Sequence, residues 1–168
     1  MNNIEEHLPD IREIVTQQEL ENSVGVVRVS FQTVAHEFNF TPENNPTHPS
    51  FMKIQHMIEL KAKGMHLFGL FQGEKQCGFV AISPSNDRVC NMEKLAVLPA
   101  YRHLGYGKAL IKFVLGYAVS MKAEKVTLAM INEHTVLKDW YLKQGFKEAS
   151  LKKFPHLPFT VCFMEQML

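Results

Sequence analysis

The chain has 168 residues, of which 46% are hydrophobic and 21% charged, and its formal net charge at pH 7 is +1. This length favours a single domain over residues 1–168, the near-neutral charge gives no signature of nucleic-acid or anionic-membrane binding, and no apolar segment is long enough to span a bilayer. The three cysteines are far apart and form no Cys-x-x-Cys pair, so neither a metal site nor a disulfide framework is indicated. The first residues are unlike a signal peptide, and both observations favour a cytoplasmic protein.

The N-terminal third of the chain is predicted to be mainly helical. Thr16 and Glu19 have the spacing of a capping box, in which each side chain satisfies a backbone donor of the other residue at a helix start. The apolar residues that follow recur at alternating intervals of four and three, which is typical of one helical face. The predicted elements are a strand at residues 11–15, a helix at about 17–38, a loop rich in proline and asparagine at 39–49 and a helix at 50–63.

After residue 64 the pattern changes to that of β-structure. Three apolar segments separated by short turns predict an antiparallel meander. A helix then returns the chain, so that the next strand is predicted to lie parallel to the third one in a right-handed crossover. The predicted elements are strands at 65–71, 76–82 and 88–98, a helix that ends near 122, a strand at 125–131, a helix at 135–144 and strands at 146–152 and 159–167.

The segment 95–108 has the form of an anion-binding site. An apolar strand ends at Pro99, after which Arg102, Gly105 and Gly107 lead into a helix. The first N–H groups of a helix lack intrahelical partners, and the helix dipole favours negative charge there. Glycine lets the backbone approach a ligand closely, and Arg102 can fork onto a phosphate.

Three interpretations of these glycines compete. A dinucleotide fingerprint requires a third glycine where Leu110 stands, and a P-loop requires a hydroxyl where Ala109 stands. What remains is Arg-x-x-Gly-x-Gly directly after a strand, for which a purely structural glycine turn is the alternative.

A second motif completes a family pattern. Residues 137–146 read Leu-Lys-Asp-Trp-Tyr-Leu-Lys-Gln-Gly-Phe. This segment resembles the signature Leu-Tyr-x-Lys-x-Gly-Phe of the GNAT family of N-acetyltransferases, with Trp140 in place of the leucine, and Arg-x-x-Gly-x-Gly resembles the family's pyrophosphate loop. The resemblance covers residue 11 to the C-terminus. It implies an α/β fold with a mixed, mainly antiparallel central sheet flanked by helices, in the order β-α-α-β-β-β-α-β-α-β-β.

The resemblance also implies acetyl-CoA as the cosubstrate. Two parallel strands would splay apart at a bulge near Leu95, and the Tyr141 hydroxyl would point at the CoA sulfur. Many members have an asparagine seven residues before that tyrosine, where this chain has His134; either His134 substitutes as a donor or the backbone alone holds the cofactor. The backbone of Leu95, Ala96 and Val97 would bind the pantetheine arm, and the pyrophosphate would be wrapped by Arg102, His103, Leu104, Gly105, Tyr106, Gly107 and Lys108.

Transfer to an amine needs a base and an acid. The acceptor arrives protonated, so a base must remove a proton. Glu93 is the best candidate, because it stands two residues before Leu95 on the same strand and both side chains are expected on one face, in an apolar neighbourhood. Tyr141 is the candidate acid for the departing thiolate, and a backbone N–H near Leu95 is the candidate oxyanion donor. His48 and His156, each on a loop, are reserve bases.

The sequence therefore predicts an N-acetyltransferase that acts on a primary amine of a small molecule or peptide by direct attack in a ternary complex. No cysteine is placed as an acyl carrier. A non-catalytic acyl-CoA-binding sensor or regulatory module is the alternative from another class, and a hydroxyl acceptor or a longer acyl group is a second one. The resemblance implies a possible homodimer, because dimerisation is common in the family.

Overall fold

The protein forms a single seven-stranded sheet with helices on both faces. The computed structural model describes residues 9–168. The elements in chain order are β1 Asp10–Glu13, α1 Gln17–Glu37, α2 Ile54–Ala62, β2 His66–Gln72, β3 Lys75–Ile82, β4 Val89–Val97, α3 Tyr106–Ser120, β5 Lys125–Ile131, α4 Thr135–Lys143, β6 Lys147–Lys153 and β7 Thr160–Met167. This order confirms the predicted succession of strands and helices.

The sheet has the strand order β1-β2-β3-β4-β5-β7-β6, and all of its neighbours pair antiparallel except β4 and β5. The parallel pairing covers only Val89, Cys90 and Asn91 of β4, against residues 125–127 of β5. Beyond Asn91 the two strands part. The sheet is thus mixed and mainly antiparallel, as predicted, and a wedge opens at its centre.

A bulge interrupts β4 beside the wedge. Phe79 of β3 pairs with Ala96, whereas Ala81 pairs with Glu93, so two residues of β4 lie opposite one residue of β3. Lys94 within the bulge has a left-handed φ of 54°. The prediction of a bulge near Leu95 is confirmed.

The bulge also corrects one expectation about side-chain direction. Met92 and Leu95 pack on the face of the sheet covered by α3. Glu93 pairs with Ala81, which belongs to the core on the opposite face, under α1 and α2. Because the extra residue reverses the alternation, Glu93 and Leu95 lie on opposite faces, and the expectation that they share one face is wrong.

Two apolar cores follow from this arrangement. One lies between the sheet and α3, with Leu110 and Val114 fully buried, and the other lies between the sheet and α1 and α2, with Val27 and Met57 fully buried. No helix within residues 9–168 is long and apolar enough to cross a membrane.

The helical predictions hold at α1 and fail in part at α2. Thr16 and Glu19 form the predicted capping box. The predicted helix over residues 50–63 is instead a short 3-10 helix, Pro49–Phe51, followed by α2. The break occurs because Met52 and Lys53 are extended, with ψ values of 137° and 160°.

Candidate active site

A cleft of about 760 Å³ occupies the wedge between β4 and β5. Its walls come from the diverging strands, α1, α4, the glycine segment, the loop before the 3-10 helix and the start of β7. From residue 92 onward β4 has no strand partner on its β5 side within the described residues, so the backbone polar groups of that edge face the cleft. An extended polar chain can therefore bind there as an additional strand would.

The glycine segment supplies a row of free backbone donors at one end of this cleft. None of the six consecutive N–H groups of residues 103–108 donates to a protein acceptor within the described part of the chain. His103 and Gly105 have φ values of 63° and 82°, and Gly105 is the N-cap of α3. Alternating backbone handedness at a helix N-terminus gathers N–H groups into an anion-binding concavity. The cluster has the chemistry that a pyrophosphate requires.

The Arg102 side chain makes three hydrogen bonds to the surrounding protein. Its Nε donates to the Val97 carbonyl at 3.2 Å, and its two terminal nitrogens donate to the Ser30 carbonyl at 2.8 Å and to the Thr33 hydroxyl at 3.2 Å. Burial lowers the pKa of the guanidinium from its ordinary value. Two of the five N–H donors of Arg102 thus fasten the glycine segment to α1 and a third bonds to the end of β4, which leaves two for a ligand.

Trp140 joins the two sequence motifs. A Cβ placed on Gly107 would lie only 3.1 Å from the Trp140 ring. The ring also packs edge-on against Tyr141, at 5.1 Å between centroids. The absence of a side chain at Gly107 therefore lets α4 approach the first turn of α3.

Tyr141 borders the cleft and is buried between Trp140 and Phe146. Its hydroxyl has no hydrogen-bond partner among residues 9–168. Burial raises the pKa of this phenol well above its ordinary value. The side chain is therefore a neutral O–H donor at neutral pH, which is the state that a general acid requires.

Glu93 borders the cleft where the strands part. Its Oε1 accepts a hydrogen bond from Asn91 Nδ2 at 3.0 Å, and its Oε2 lies 3.3 Å from Lys94 Nζ. Asn91 Oδ1 in turn accepts from the Thr127 hydroxyl of β5 at 3.2 Å. The carboxylate is held by polar partners rather than by the apolar neighbourhood expected from Met92 and Leu95.

His134 lines the cleft as the N-cap of α4. Its Nδ1 accepts from the Leu137 N–H at 3.3 Å, and its ring packs on Phe38 at 5.5 Å. Its Nε2 lies 3.9 Å from a Glu37 carboxylate oxygen. The nearest asparagine, Asn132, accepts from Lys138 Nζ at 2.8 Å and is engaged by the fold.

The two reserve histidines differ in their surroundings. His156 is exposed and is not among the residues that line the cleft. His48 is only 6% exposed and borders the cleft. Burial lowers the pKa of His48 to about 4, so its imidazole is neutral at neutral pH.

Several site residues carry no signal in the sequence. Ser30 and Thr33 hold Arg102 although they stand about 70 positions away along the chain. Asn91 and Thr127 tie the strands together at the point of the fork. Only Asn91, two positions before Glu93, lies near a predicted site residue.

The comparisons with known proteins agree with this geometry. The model of the acetyltransferase (GNAT) family matches residues 31–146. No curated protein sequence matches the chain.

Solved structures share the fold at low sequence identity. The chain is similar to the ribosomal-protein-S18-alanine N-acetyltransferase from Escherichia coli, with a TM-score of 0.75 and 14% identity over 95% of this chain and 94% of that one. It is also similar to the PaiA N-acetyltransferase from Thermoplasma acidophilum in complex with coenzyme A, with a TM-score of 0.74 and 16% identity over 96% and 99% of the two chains. A GNAT family acetyltransferase from Elizabethkingia anophelis with acetyl-CoA bound has a TM-score of 0.61 and 15% identity, over 78% of this chain and 90% of that one.

Proposed function

Because the chain belongs to the acetyltransferase (GNAT) family, we propose that it transfers the acetyl group of acetyl-CoA to a primary amine by direct attack within a ternary complex. The observation that carries the proposal is the row of six N–H groups at residues 103–108, which have no acceptor among residues 9–168 and open into the same cleft as the Tyr141 side chain. An anion site and a buried neutral acid in one cleft suit a thioester whose carrier bears phosphates. Two family structures with coenzyme A or acetyl-CoA bound, from Thermoplasma acidophilum and Elizabethkingia anophelis, support this cosubstrate.

Acetyl-CoA binding would use mainly backbone groups. The N–H groups of residues 103–108 would bind the pyrophosphate, with the two free donors of Arg102 beside them. The pantetheine amides would pair with Leu95, Ala96 and Val97 along the open edge of β4. His134 would border the cofactor, with Nε2 as its available nitrogen because Nδ1 caps α4.

The proposed reaction transfers protons at the acceptor nitrogen and at the CoA sulfur. Glu93 takes a proton from the acceptor ammonium, directly or through water, and the freed amine attacks the thioester carbonyl. The tetrahedral oxyanion accepts a hydrogen bond from a backbone N–H near Leu95. As the C–S bond breaks, Tyr141 donates its proton to the departing thiolate, and the resulting phenolate takes the remaining extra proton from the acylated nitrogen, so that the neutral amide is released.

Calorimetric titration with acetyl-CoA, free CoA and NADPH, followed by a thiol-release assay over a panel of amines, tests this proposal. Micromolar binding of both CoA species but not of NADPH, together with thiol release that depends on an amine, is the expected result. If neither acetyl-CoA nor free CoA bound, the result would contradict the pyrophosphate site. Binding without thiol release from any amine would instead favour the non-catalytic acyl-CoA-binding module.

A tyrosine pair tests the proposed acid. Tyr141→Phe removes the hydroxyl while keeping the ring, so we expect kcat to fall by about a hundredfold with an unchanged Kd for acetyl-CoA. Tyr117→Phe is the matched control, because the Tyr117 hydroxyl lies 3.2 Å from His66 Nδ1, away from the cleft. Equal activity of the two variants would remove Tyr141 as the acid.

A further inference from the structure

A second, smaller cavity adjoins the cleft beside Lys94. This side pocket has a volume of about 170 Å³ and lies between the loop before the 3-10 helix, that helix and α2. Four residues border both the side pocket and the cleft, namely Thr47, His48, Pro49 and Lys94. A molecule whose amine lies near Glu93 can therefore extend a neighbouring group into the side pocket.

Charged groups of both signs border the side pocket. Lys63 and Lys94 border it, against the single carboxylate of Glu59. Lys94 is already paired with Glu93, at 3.3 Å, whereas Lys63 forms no salt bridge with a described residue. His56 also borders the pocket, and its Nδ1 accepts from the Lys53 N–H at 3.0 Å, which leaves Nε2 free.

His48 adds a donor of fixed orientation. Its Nδ1 accepts from the Ser50 N–H at 3.3 Å and lies 2.7 Å from the Ser50 hydroxyl. Because a backbone N–H can only donate, we assign the single proton of the neutral imidazole to Nε2. No described residue accepts a hydrogen bond from Nε2.

Aromatic rings surround the His48 imidazole. Phe40, Phe31 and Phe51 pack on it with centroid distances of 5.0, 5.8 and 6.2 Å. The His48 residue is only 6% exposed, and a ligand or water that reaches Nε2 can accept its hydrogen bond. The ring that caps the 3-10 helix is therefore also poised to bind an oxygen.

We propose that the acceptor is an amine that also carries a carboxylate, and that this carboxylate enters the side pocket, where it accepts from His48 Nε2–H and faces the Lys63 and Lys94 ammonium groups. This inference rests on the proposed function, because it takes the molecule bound there to be the acceptor of the acetyl group. The side pocket is wide enough for a carboxylate and a short linker, at roughly 30 Å³ for each water-sized group. Amines without a carboxylate lack the anion that this set of donors would bind.

The preference is measured with matched acceptors in the thiol-release assay. Leucine and phenylalanine are each compared with their amides and with the corresponding decarboxylated amines, because apolar rings line this end of the cleft. We expect kcat/KM to be at least about tenfold higher for the carboxylated member, the range of one charge-assisted hydrogen bond. Lys63→Gln should bring this ratio close to one, and Lys112→Gln, on the exposed side of α3, should leave it unchanged. Equal kcat/KM values across each set would overturn the proposal.

A binding measurement decides the proposal without turnover. The histidine ring signals are followed by NMR while N-acetyl-leucine and N-acetyl-phenylalanine, or their amides, are added, and His48→Gln identifies the His48 signal. We expect the chemical shift of the His48 signal to change when the acids are added and to stay constant when the amides are added. Equal changes in chemical shift with the acids and with the amides, or no change at millimolar acid, would overturn the carboxylate site. If acetyl-CoA also failed to bind in calorimetry, the proposed function would fall separately from this result.

Discussion

At the scale of single residues, the contact between Gly107 and Trp140 connects the cofactor segment to the proposed acid. Trp140 stands where the family signature has leucine, and its larger ring reaches the first turn of α3. The same ring packs on Tyr141. The position of the tyrosine relative to the free N–H groups therefore depends on a close approach that only glycine permits at residue 107.

A pair of glycine substitutions in α3 tests this dependence. Gly107→Ala places a Cβ at 3.1 Å from the Trp140 ring, so the ring must shift and we expect the Kd for acetyl-CoA to rise by about tenfold. Gly116→Ala is the control in the same helix, because a Cβ there meets nothing within 4 Å. Alanine is the better helix former, so the control should be more stable by up to about 1 kcal/mol with the same Kd. Identical Kd values for both variants and the natural chain would show that the contact does not position the site.

The residue scale also shows where sequence reasoning is limited. Arg102 directly precedes the free N–H groups in the sequence, but the motif could not indicate that two of its guanidinium nitrogens donate to α1. The partners are a carbonyl, at Ser30, and a hydroxyl, at Thr33, and neither residue type at that spacing carries a pattern. Glu93 illustrates the same limit, because one bulge residue changes the face on which a strand residue lies.

At the scale of elements, the start of α1 was predictable because its determinants are local. Thr16 Oγ1 accepts from the Glu19 N–H at 3.1 Å, while the Glu19 carboxylate accepts from the N–H groups of Val15 and Thr16 at 2.8 and 3.0 Å. The bonds from the Thr16 and Val15 N–H groups, together with a bond from the Arg12 guanidinium at 2.6 Å, stabilise the Glu19 carboxylate and lower its pKa to about 2. The break between the 3-10 helix and α2 was missed because the extended backbone at Met52 and Lys53 has no local marker, since a continuous apolar spacing runs across it.

The depressed pKa of Glu19 makes the stability that it contributes dependent on pH. The folded carboxyl ionises near pH 2 and the unfolded one near pH 4.5, so its contribution is complete above pH 4.5 and is lost as the pH falls towards 2. We expect Glu19→Gln to lower the free energy of unfolding by about 1–2 kcal/mol at pH 7, and by much less near pH 2. Urea unfolding at both pH values measures this difference. Glu21→Gln, an exposed change on the same helix, serves as the control, and equal losses for the two variants at pH 7 would contradict the assignment.

At the scale of the whole molecule, the sheet consists of two halves with a narrow junction. Strands β1 to β4 form one half and β5, β7 and β6 form the other, and only three residues of β4 pair with three of β5. The core on the α3 side includes residues of both halves, such as Cys90 and Val126. The cleft is thus the space that remains because the halves diverge after Asn91, and a ligand within it contacts both of them.

This architecture predicts that acetyl-CoA acts as a bridge between the half-sheets. At a concentration of about 100 Kd, binding should add about 2.7 kcal/mol to the free energy of unfolding, which corresponds to a rise in Tm of roughly 5–10 °C. Hydrogen exchange should slow at the open edges, residues 92–97 of β4 and 128–131 of β5, and in the N–H row at 103–108. The outer strand β6 provides the internal control, because among the described strands it pairs with β7 alone, on the far side from the cleft. NADPH at equal concentration should change neither quantity. Slowed exchange spread evenly over β6 and the open edges would indicate general stabilisation instead of a ligand held between the two halves.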